Sequence, residues 1–396
     1  MSPSPDAQQN LGHDVEHDAQ QQIVQRVCVA AAGRTPLRIV GSGSKSFLAA
    51  GAGEGEVLDM SVHCGVIEYE PSELIVTARA GTPITEVEDL LARESQHLAF
   101  EPPRLRWGRR VPAGPGMNGA GANGAGTWGG MIAAGLGGPA RFAAGSVRDH
   151  VLGLTLVNGR GELLRLGGKV MKNVAGFDLA RVVTGAMGTL GVILDATLKV
   201  APRPMSHLSL RFELHEAEAL AQLNAWAAQP LPMDANAWWD DQLIVRLQGL
   251  PAAVQATAQR LGGEPLEHRD SLAFWQGLRD QADEFFLRAR QAVDASPQVT
   301  LWRLSLPATT PAFSMPGEHL NEWCGGLRWW CTSMPAGQVR ELAREKGGHA
   351  TPYYTRDPQG PALSELTPLL ARWNREVKRA FDPDHLFNRA RLFSDL

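Results

Sequence analysis

Three glycine-rich segments, widely separated along a 396-residue chain, constrain its fold most: IVGSGSKS at 39–46, TWGGMIAAGLGG at 127–138 and GAMGTLGVI at 185–193. Glycine loses more freedom on folding than any other residue and is favoured where backbone must approach something closely. The first segment reads as a strand running into a turn. There the amides freed by Gly41 and Gly43, with the hydroxyls of Ser42, Ser44 and Ser46, make a nest suited to a pyrophosphate, and Lys45 adds a counter-charge. It is not a nucleotide-triphosphate loop, since serine rather than glycine precedes the lysine. Nor is it a dinucleotide fingerprint, because Ser46 stands where the third glycine belongs. In the second segment Gly129 and Gly130 let a planar ring or a ribose lie against the backbone. In the third, the main-chain amide and carbonyl of Val192, at the entry to a strand, could read an adenine edge. Singly, each segment is explained as well by an ordinary turn. Together they predict one extended ligand lying across two subdomains.

The intervening pattern is that of α/β units. Residues 1–17 are polar and read as a disordered tail. From 18 onward, Ile23, Val27, Ala30 and Ala31 share one helical face, with Asp18 as the cap and Gly33 as the stop. PLRIV and ELIVTA read as strands. Thr82-Pro83 reads as a cap with proline at the first helical position, before the apolar stripe Ile84, Val87, Leu90 and Leu91. Residues 104–126 are a Gly/Ala-rich insertion opened by an arginine cluster. VLGLTLV and ELLRL flank Asn158-Gly159, the signature of a hairpin with a type I′ turn. A short helix over Leu179–Thr184 and a strand over Val192–Val200 follow. Pro202 and Pro204 mark the boundary between a first domain, 18–204, and a second, 205–396. The second alternates strands (QLIVRL, VTLWRLSL, GGLRWWCTS, HATPYYT) with helices, which predicts an antiparallel sheet with helices on one face. A last helix carries the apolar stripe Leu369, Leu370, Trp373, Val377 and Phe381 beside a basic stripe of Arg372, Arg375, Lys378 and Arg379. The basic stripe reads as a solvated face or as a docking surface for an acidic partner.

A net charge of −4 gives nucleic-acid binding no electrostatic support. The four cysteines, Cys28, Cys64, Cys324 and Cys331, fit neither a disulfide scaffold nor a C-x-x-C metal site. They suit free thiols in a reducing cytoplasm. The N-terminus lacks the basic and apolar regions of a secretory signal, and no apolar run is long enough to span a bilayer. A cytoplasmic protein is expected, with docking onto a membrane-bound partner left open. The histidines are dispersed and predict no metal site; His150 alone lies where a ligand is expected. Lys172, Asn173 and Asp178 are polar candidates in the segment KNVAGFD, with a structural corner as the alternative.

The quoted segments, with LAFEPP, GGMIAAGLGGPARFAAGSVRDHVLG, VNGRGELLRLGGKVMKNVAGFDLARVVTGAMGTLGVI, LKVAPRP and FDPDHLFNRARLF, resemble the vanillyl-alcohol oxidase/PCMH-type FAD-binding superfamily. Within it they are similar to the FAD-binding subunits of bacterial glycolate oxidases. The resemblance implies an α+β protein: a PCMH-type FAD-binding domain of two α/β subdomains, then a C-terminal α+β cap domain with an antiparallel sheet. It implies non-covalent FAD, with Gly41, Ser42, Gly43, Ser44, Lys45 and Ser46 on the pyrophosphate. Thr127, Gly129 and Gly130 would lie along the ribityl chain and ring, Ser146 and Asp149 in the adjoining loop, and Val192 at the adenine, with Pro103 a further cofactor-binding residue. It further implies a glycolate oxidase subunit that holds flavin and relays electrons between a catalytic FAD subunit and an iron–sulfur subunit, at most peripheral to the inner membrane. No substrate-anchoring cluster or catalytic residue is visible. The alternatives are a stand-alone FAD oxidase or dehydrogenase of a small hydroxy acid or alcohol, and a flavin-free assembly subunit. Two departures stand out: the 104–126 insertion between Pro103 and the glycine pair, and a tail lacking the Pro-Gly that relatives carry after Asn388.

Overall fold

The i, i+4, i+7 spacing of Ile23, Val27 and Ala30 places all three on the buried face of a helix that opens the structure. The computed structural model describes residues 5–48, 55–105, 126–169, 177–357 and 366–392, with side chains of the first helix described from Ala19 onward. That helix, α1, spans Pro5–Gly33, so the segment read as a disordered tail is helical from Pro5 and Asp18 is no cap. Polarity alone misled the reading: Gln, Ala, Glu and Leu are good helix formers whether or not they are buried.

After α1 come β1 (Leu37–Val40) and β2 (Glu56–Asp59), which pair in parallel. They are followed by β3 (Val66–Glu70), β4 (Ile75–Arg79), α2 (Ile84–Arg93) and β5 (Gln96–His97). Beyond residue 126 lie α3 (Trp128–Ala134), α4 (Arg141–Ala144), α5 (Val147–His150), β6 (Val151–Val157), β7 (Leu163–Gly167), α6 (Ala180–Val183), β8 (Val192–Lys199) and β9 (Ala201–Pro202). An antiparallel sheet in the order β3-β4-β8-β6-β7 backs the first core. Trp128 is fully buried there and donates its indole N–H to the Ala196 carbonyl at 3.0 Å.

Two local expectations fail. The Thr82 hydroxyl does not cap α2; it exchanges hydrogen bonds with the Gly65 backbone, accepting at 2.9 Å and donating at 3.0 Å. The β6–β7 turn is not type I′. The Asn158 side chain accepts from the amides of Arg160 and Glu162, and the left-handed residue is Gly161, at φ 77°. An Asx-type turn has displaced the two-residue hairpin because asparagine can satisfy the backbone itself.

The second half contains β10 (Ser206–Glu213), α7 (Glu216–Ala227), β11 (Met233–Trp239), β12 (Gln242–Gly249), α8 (Pro251–Leu261) and β13 (Glu264–Pro265). It continues through α9 (His268–Asp280), α10 (Glu284–Ala295), β14 (Thr300–Ser305), β15 (Glu318–Glu322), β16 (Leu327–Thr332), α11 (Ala336–Glu345), β17 (His349–Thr355) and α12 (Pro368–Phe381). Eight strands form one antiparallel sheet, β13-β10-β12-β11-β15-β16-β14-β17. Its helices cover both faces rather than one. Trp329 and Cys331 pack with α9 and α10, whereas Trp330, pointing the other way, packs with α11. All six residues of β16 are buried for that reason.

The end of the chain corrects the sequence reading most. Leu369, Leu370 and Trp373 of α12 are exposed, and of the apolar stripe only its end, at Phe381, packs against the first core. Lys378, read as part of a basic stripe, is 2% exposed and donates to Asp382 at 2.7 Å, to the Thr189 carbonyl at 2.6 Å and to the Phe387 carbonyl at 3.3 Å. Asp382 also accepts from the amides of Leu386 and Phe387, each at 2.9 Å. The tail then returns to the first half: the Leu37 amide donates to the Leu386 carbonyl at 2.7 Å, and the Asn388 amide donates to the Leu37 carbonyl at 3.0 Å. Ala390 sits at φ 55°, a conformation that glycine adopts at lower cost.

Removing either charge of the buried pair strands the other. Asp382→Ala is expected to cost about 3–5 kcal/mol in denaturant unfolding, and the double change Lys378→Met/Asp382→Leu distinctly less. Ala390→Gly is expected to raise the thermal midpoint, by up to about 1 kcal/mol of stability.

Candidate functional site

The three glycine segments and the tail meet at the end of β1. At Gly41 a Cβ would lie 2.4 Å from the Thr127 hydroxyl oxygen, so the first turn closes directly on the second segment. At Gly126 a Cβ would come within 3.2 Å of the Lys45 ammonium. The third segment adjoins the second, with Gly185 and Met187 donating to the carbonyls of Ile132 and Ala133 at 2.9 and 2.8 Å. Asn388 ties them together. Its side-chain oxygen accepts from the Ile39 amide at 2.9 Å, and its side-chain nitrogen donates to the Met187 carbonyl at 2.7 Å.

Cations gather on this junction. Lys45 is 8% exposed; its ammonium donates to the Ser44 hydroxyl at 3.4 Å, and no carboxylate pairs with it among the described residues. Burial pushes its pKa down to about 8. Arg391 donates to the Lys45 carbonyl at 3.4 Å, and burial, then the like charge of Arg38, draws its guanidinium below the ordinary range. The Arg38 Nε is buried without a hydrogen-bond partner. Uncompensated buried charge is costly unless a counter-ion arrives. Lys45, Arg38 and Arg391 beside a glycine turn, with Gly43 at φ 70°, therefore fit a diphosphate.

The remaining candidates have mixed fates. Thr127 caps α3 by accepting from the Gly130 amide at 3.3 Å. Gly129 packs just beyond the end of β4, where a Cβ would meet that of Ala80 at 2.6 Å. Ser146 and Asp149 are engaged with each other: the Ser146 amide and hydroxyl donate to the Asp149 carboxylate at 2.8 and 2.7 Å. Val192 is fully buried opposite Val157 in the β6–β8 ladder. Pro103 lines a cleft between the two halves, away from the cationic junction. His150 is a core residue, its ring nitrogens 3.0 Å from the Ala144 carbonyl and 3.4 Å from that of Lys199. Lys172 and Asn173 lie outside the described residues, as does most of the insertion, residues 106–125. Asp178 pairs at the surface with Arg181 at 2.9 Å. Sequence reading missed Arg38 and Arg391. Arg38 sits inside a strand where any polar residue passes for the solvent face, and Arg391 gives no sign in the sequence that the tail folds back.

The uncompensated Lys45 charge has a measurable consequence. Its folded-state pKa lies below the ordinary 10.5, so the folded, ligand-free chain binds fewer protons than the unfolded chain between about pH 8 and 10.5. Stability should rise with pH across that window. Lys45→Met is expected to remove the slope, to stabilise the ligand-free chain at pH 7 by about 1–3 kcal/mol, and to weaken FAD binding. Thermal melts over pH and a flavin titration read all of these effects.

Comparison with known proteins agrees with this geometry. A family described as an FAD binding domain matches residues 14–125 and 114–167. The glycolate oxidase subunit GlcE of Escherichia coli (strain K12) is 40% identical over 96% of this chain and 99% of its own length. The glycolate oxidase subunit GlcD of Bacillus subtilis (strain 168) is 30% identical over 48% of this chain, a match that spans 37% of that relative. A solved alkyldihydroxyacetonephosphate synthase shares the fold at a TM-score of 0.57 and 14% identity, over 92% of this chain and 73% of that one. The cationic junction and a match along nearly the full length of both chains lead to one assignment: the chain belongs to the family of the glycolate oxidase subunit GlcE, an FAD-binding family.

Proposed function

We propose that this chain is the FAD-binding subunit of a glycolate oxidase complex, an FAD-dependent oxidoreductase component that passes electrons between a catalytic flavoprotein partner and an iron–sulfur partner. The observation that carries the reading is the gathering of Arg38, Lys45 and Arg391 on the Gly41–Ser46 turn in a chain that matches GlcE almost end to end. Bound FAD supplies the capacity to take up an electron pair and release electrons singly. The chain's own residues bind and orient. Lys45, Arg38 and Arg391 offset the diphosphate charge, and the absence of a Cβ at Gly41 keeps the turn seated on Thr127. Thr127, Gly129 and Gly130, at the start of α3, would hold the ribityl and ring portion of a bound FAD, with Pro103 and Val192 as further candidate contacts. The Ser146–Asp149 pair holds the adjoining loop in shape. No helix among the described residues is long and apolar enough to cross a membrane. A cytoplasmic location with membrane contact through partners follows as part of the proposal.

The purified full-length chain should be yellow, with one FAD per chain, and should not reduce a dye with glycolate until its partner subunits are added. A chain that stays colourless after incubation with FAD, or one that turns over glycolate fully by itself, would overturn the reading.

A further inference from the structure

A second place of uncompensated positive charge lies in the narrow cleft between the two halves of the molecule. One wall is the segment from Leu136 to Pro139, which continues from α3; the other is formed by α9, β14, β15 and β16. Arg303 of β14 and Glu322 of β15 both line it. The Arg303 guanidinium lies 5.5 Å from the centre of the Trp323 ring and 6.0 Å from that of Trp329. Arg141, from the first half, lies over the same Trp323 ring at 4.4 Å. The Trp323 indole N–H is itself held by the Gly138 carbonyl at 3.2 Å, which fixes the ring across the junction.

Neither Arg303 nor Arg141 has an ion pair or a side-chain hydrogen bond among the described residues, whereas deeply buried arginines of the same sheet do. Arg246 pairs with Asp234 at 2.7 Å and with Glu101 at 2.9 Å, and Arg328 donates to backbone carbonyls beside Glu216. Burial, first of all, draws the Arg303 guanidinium below its usual range. The carboxyl that could neutralise Arg303 does not. One Glu322 oxygen accepts from the Trp329 indole N–H at 2.7 Å, and no Glu322 oxygen is within ion-pair distance of Arg303. Burial pushes the Glu322 carboxyl up to about 8, so it is largely protonated at neutral pH and offers a hydrogen-bond donor rather than a counter-charge.

A planar guanidinium beside two indole rings matches the paired oxygens of an oxyanion, and the narrowness of the cleft favours a small carboxylate over a larger ligand. We propose that Arg303, with Arg141 over the same Trp323 ring, binds the carboxylate of a small organic acid, so that this chain has an acid-binding site of its own beside its flavin segment. The assignment deepens the flavin-subunit reading and rests on it for the class of acid, a short 2-hydroxy or 2-oxo acid.

The test uses the full-length, FAD-loaded protein titrated separately with oxalate and with glycolate, against sodium chloride at equal ionic strength. The visible flavin spectrum and the thermal midpoint are the readouts. A saturable change with both acids is expected. Arg303→Met should weaken it by about 10- to 100-fold while flavin content stays at the wild-type level. If Arg303→Met does not fold, Arg141→Met takes its place, with a smaller but clear loss expected. Three results would overturn the proposal: no response beyond that to chloride, wild-type affinity in the arginine variants, or loss of flavin in a folded Arg303→Met, which would assign the guanidinium to the cofactor. A colourless chain fails the flavin reading instead, and the thermal midpoint then still reports whether the acids bind.

Discussion

The ion pair between Lys378 and Asp382 is the interaction on which the site depends. Both groups are withdrawn from water, a penalty that is offset only because each is saturated: the ammonium has three acceptors, and the carboxylate holds two backbone amides besides the lysine. Through those amides and the Thr189 carbonyl, the pair locks the chain reversal after α12 onto the third glycine segment. That reversal delivers Leu386 and Asn388 to β1 and Arg391 to the Gly41–Ser46 turn. A buried salt bridge is weak evidence for stability in general. Here its contribution is register, since it decides which side chains reach the junction.

Charge is distributed in two ways across the molecule. Most buried cations are neutralised where they lie, as Arg246 is by Asp234 and Glu101 and Arg279 by Asp280. Among the described residues, the trio around the Gly41 turn and the pair Arg141 and Arg303 over the Trp323 ring have no such carboxylate partner. In a chain of net charge −4 these are local exceptions.

Much of the framework was legible from local pattern. The apolar spacing of α1 and α2, the strands β1, β4 and β8, and the meeting of three glycine segments all follow from periodicity and from what a missing Cβ permits. What was not legible depends on partners remote in sequence. Lys378 looks like any surface lysine on an amphipathic helix until Thr189 and Asp382 surround it. Both-face burial of β16 cannot be read from LRWWCT without knowing that helices flank the sheet on each side. Thr82 and Asn158 were misread because a short polar side chain can serve several local backbone arrangements of similar energy. Arg303 and Glu322 look unremarkable in sequence because their significance lies in a counter-charge that is missing, and absence leaves no motif.

The return of the tail to β1 also bears on how the molecule comes into being. Leu37 and Phe387 are bridged in parallel, so β1, already paired with β2 on one side, gains its contact on the other from residues some 350 positions later. During synthesis that edge waits while the eight-stranded sheet is made. Such a high-separation contact forms late and slowly, because loop closure over most of the chain must precede it. The flavin-binding half is thus not autonomous in time. The strand–turn segment from Ile39 to Lys45 gains its contacts with Asn388 and Arg391 only after those late residues have been made.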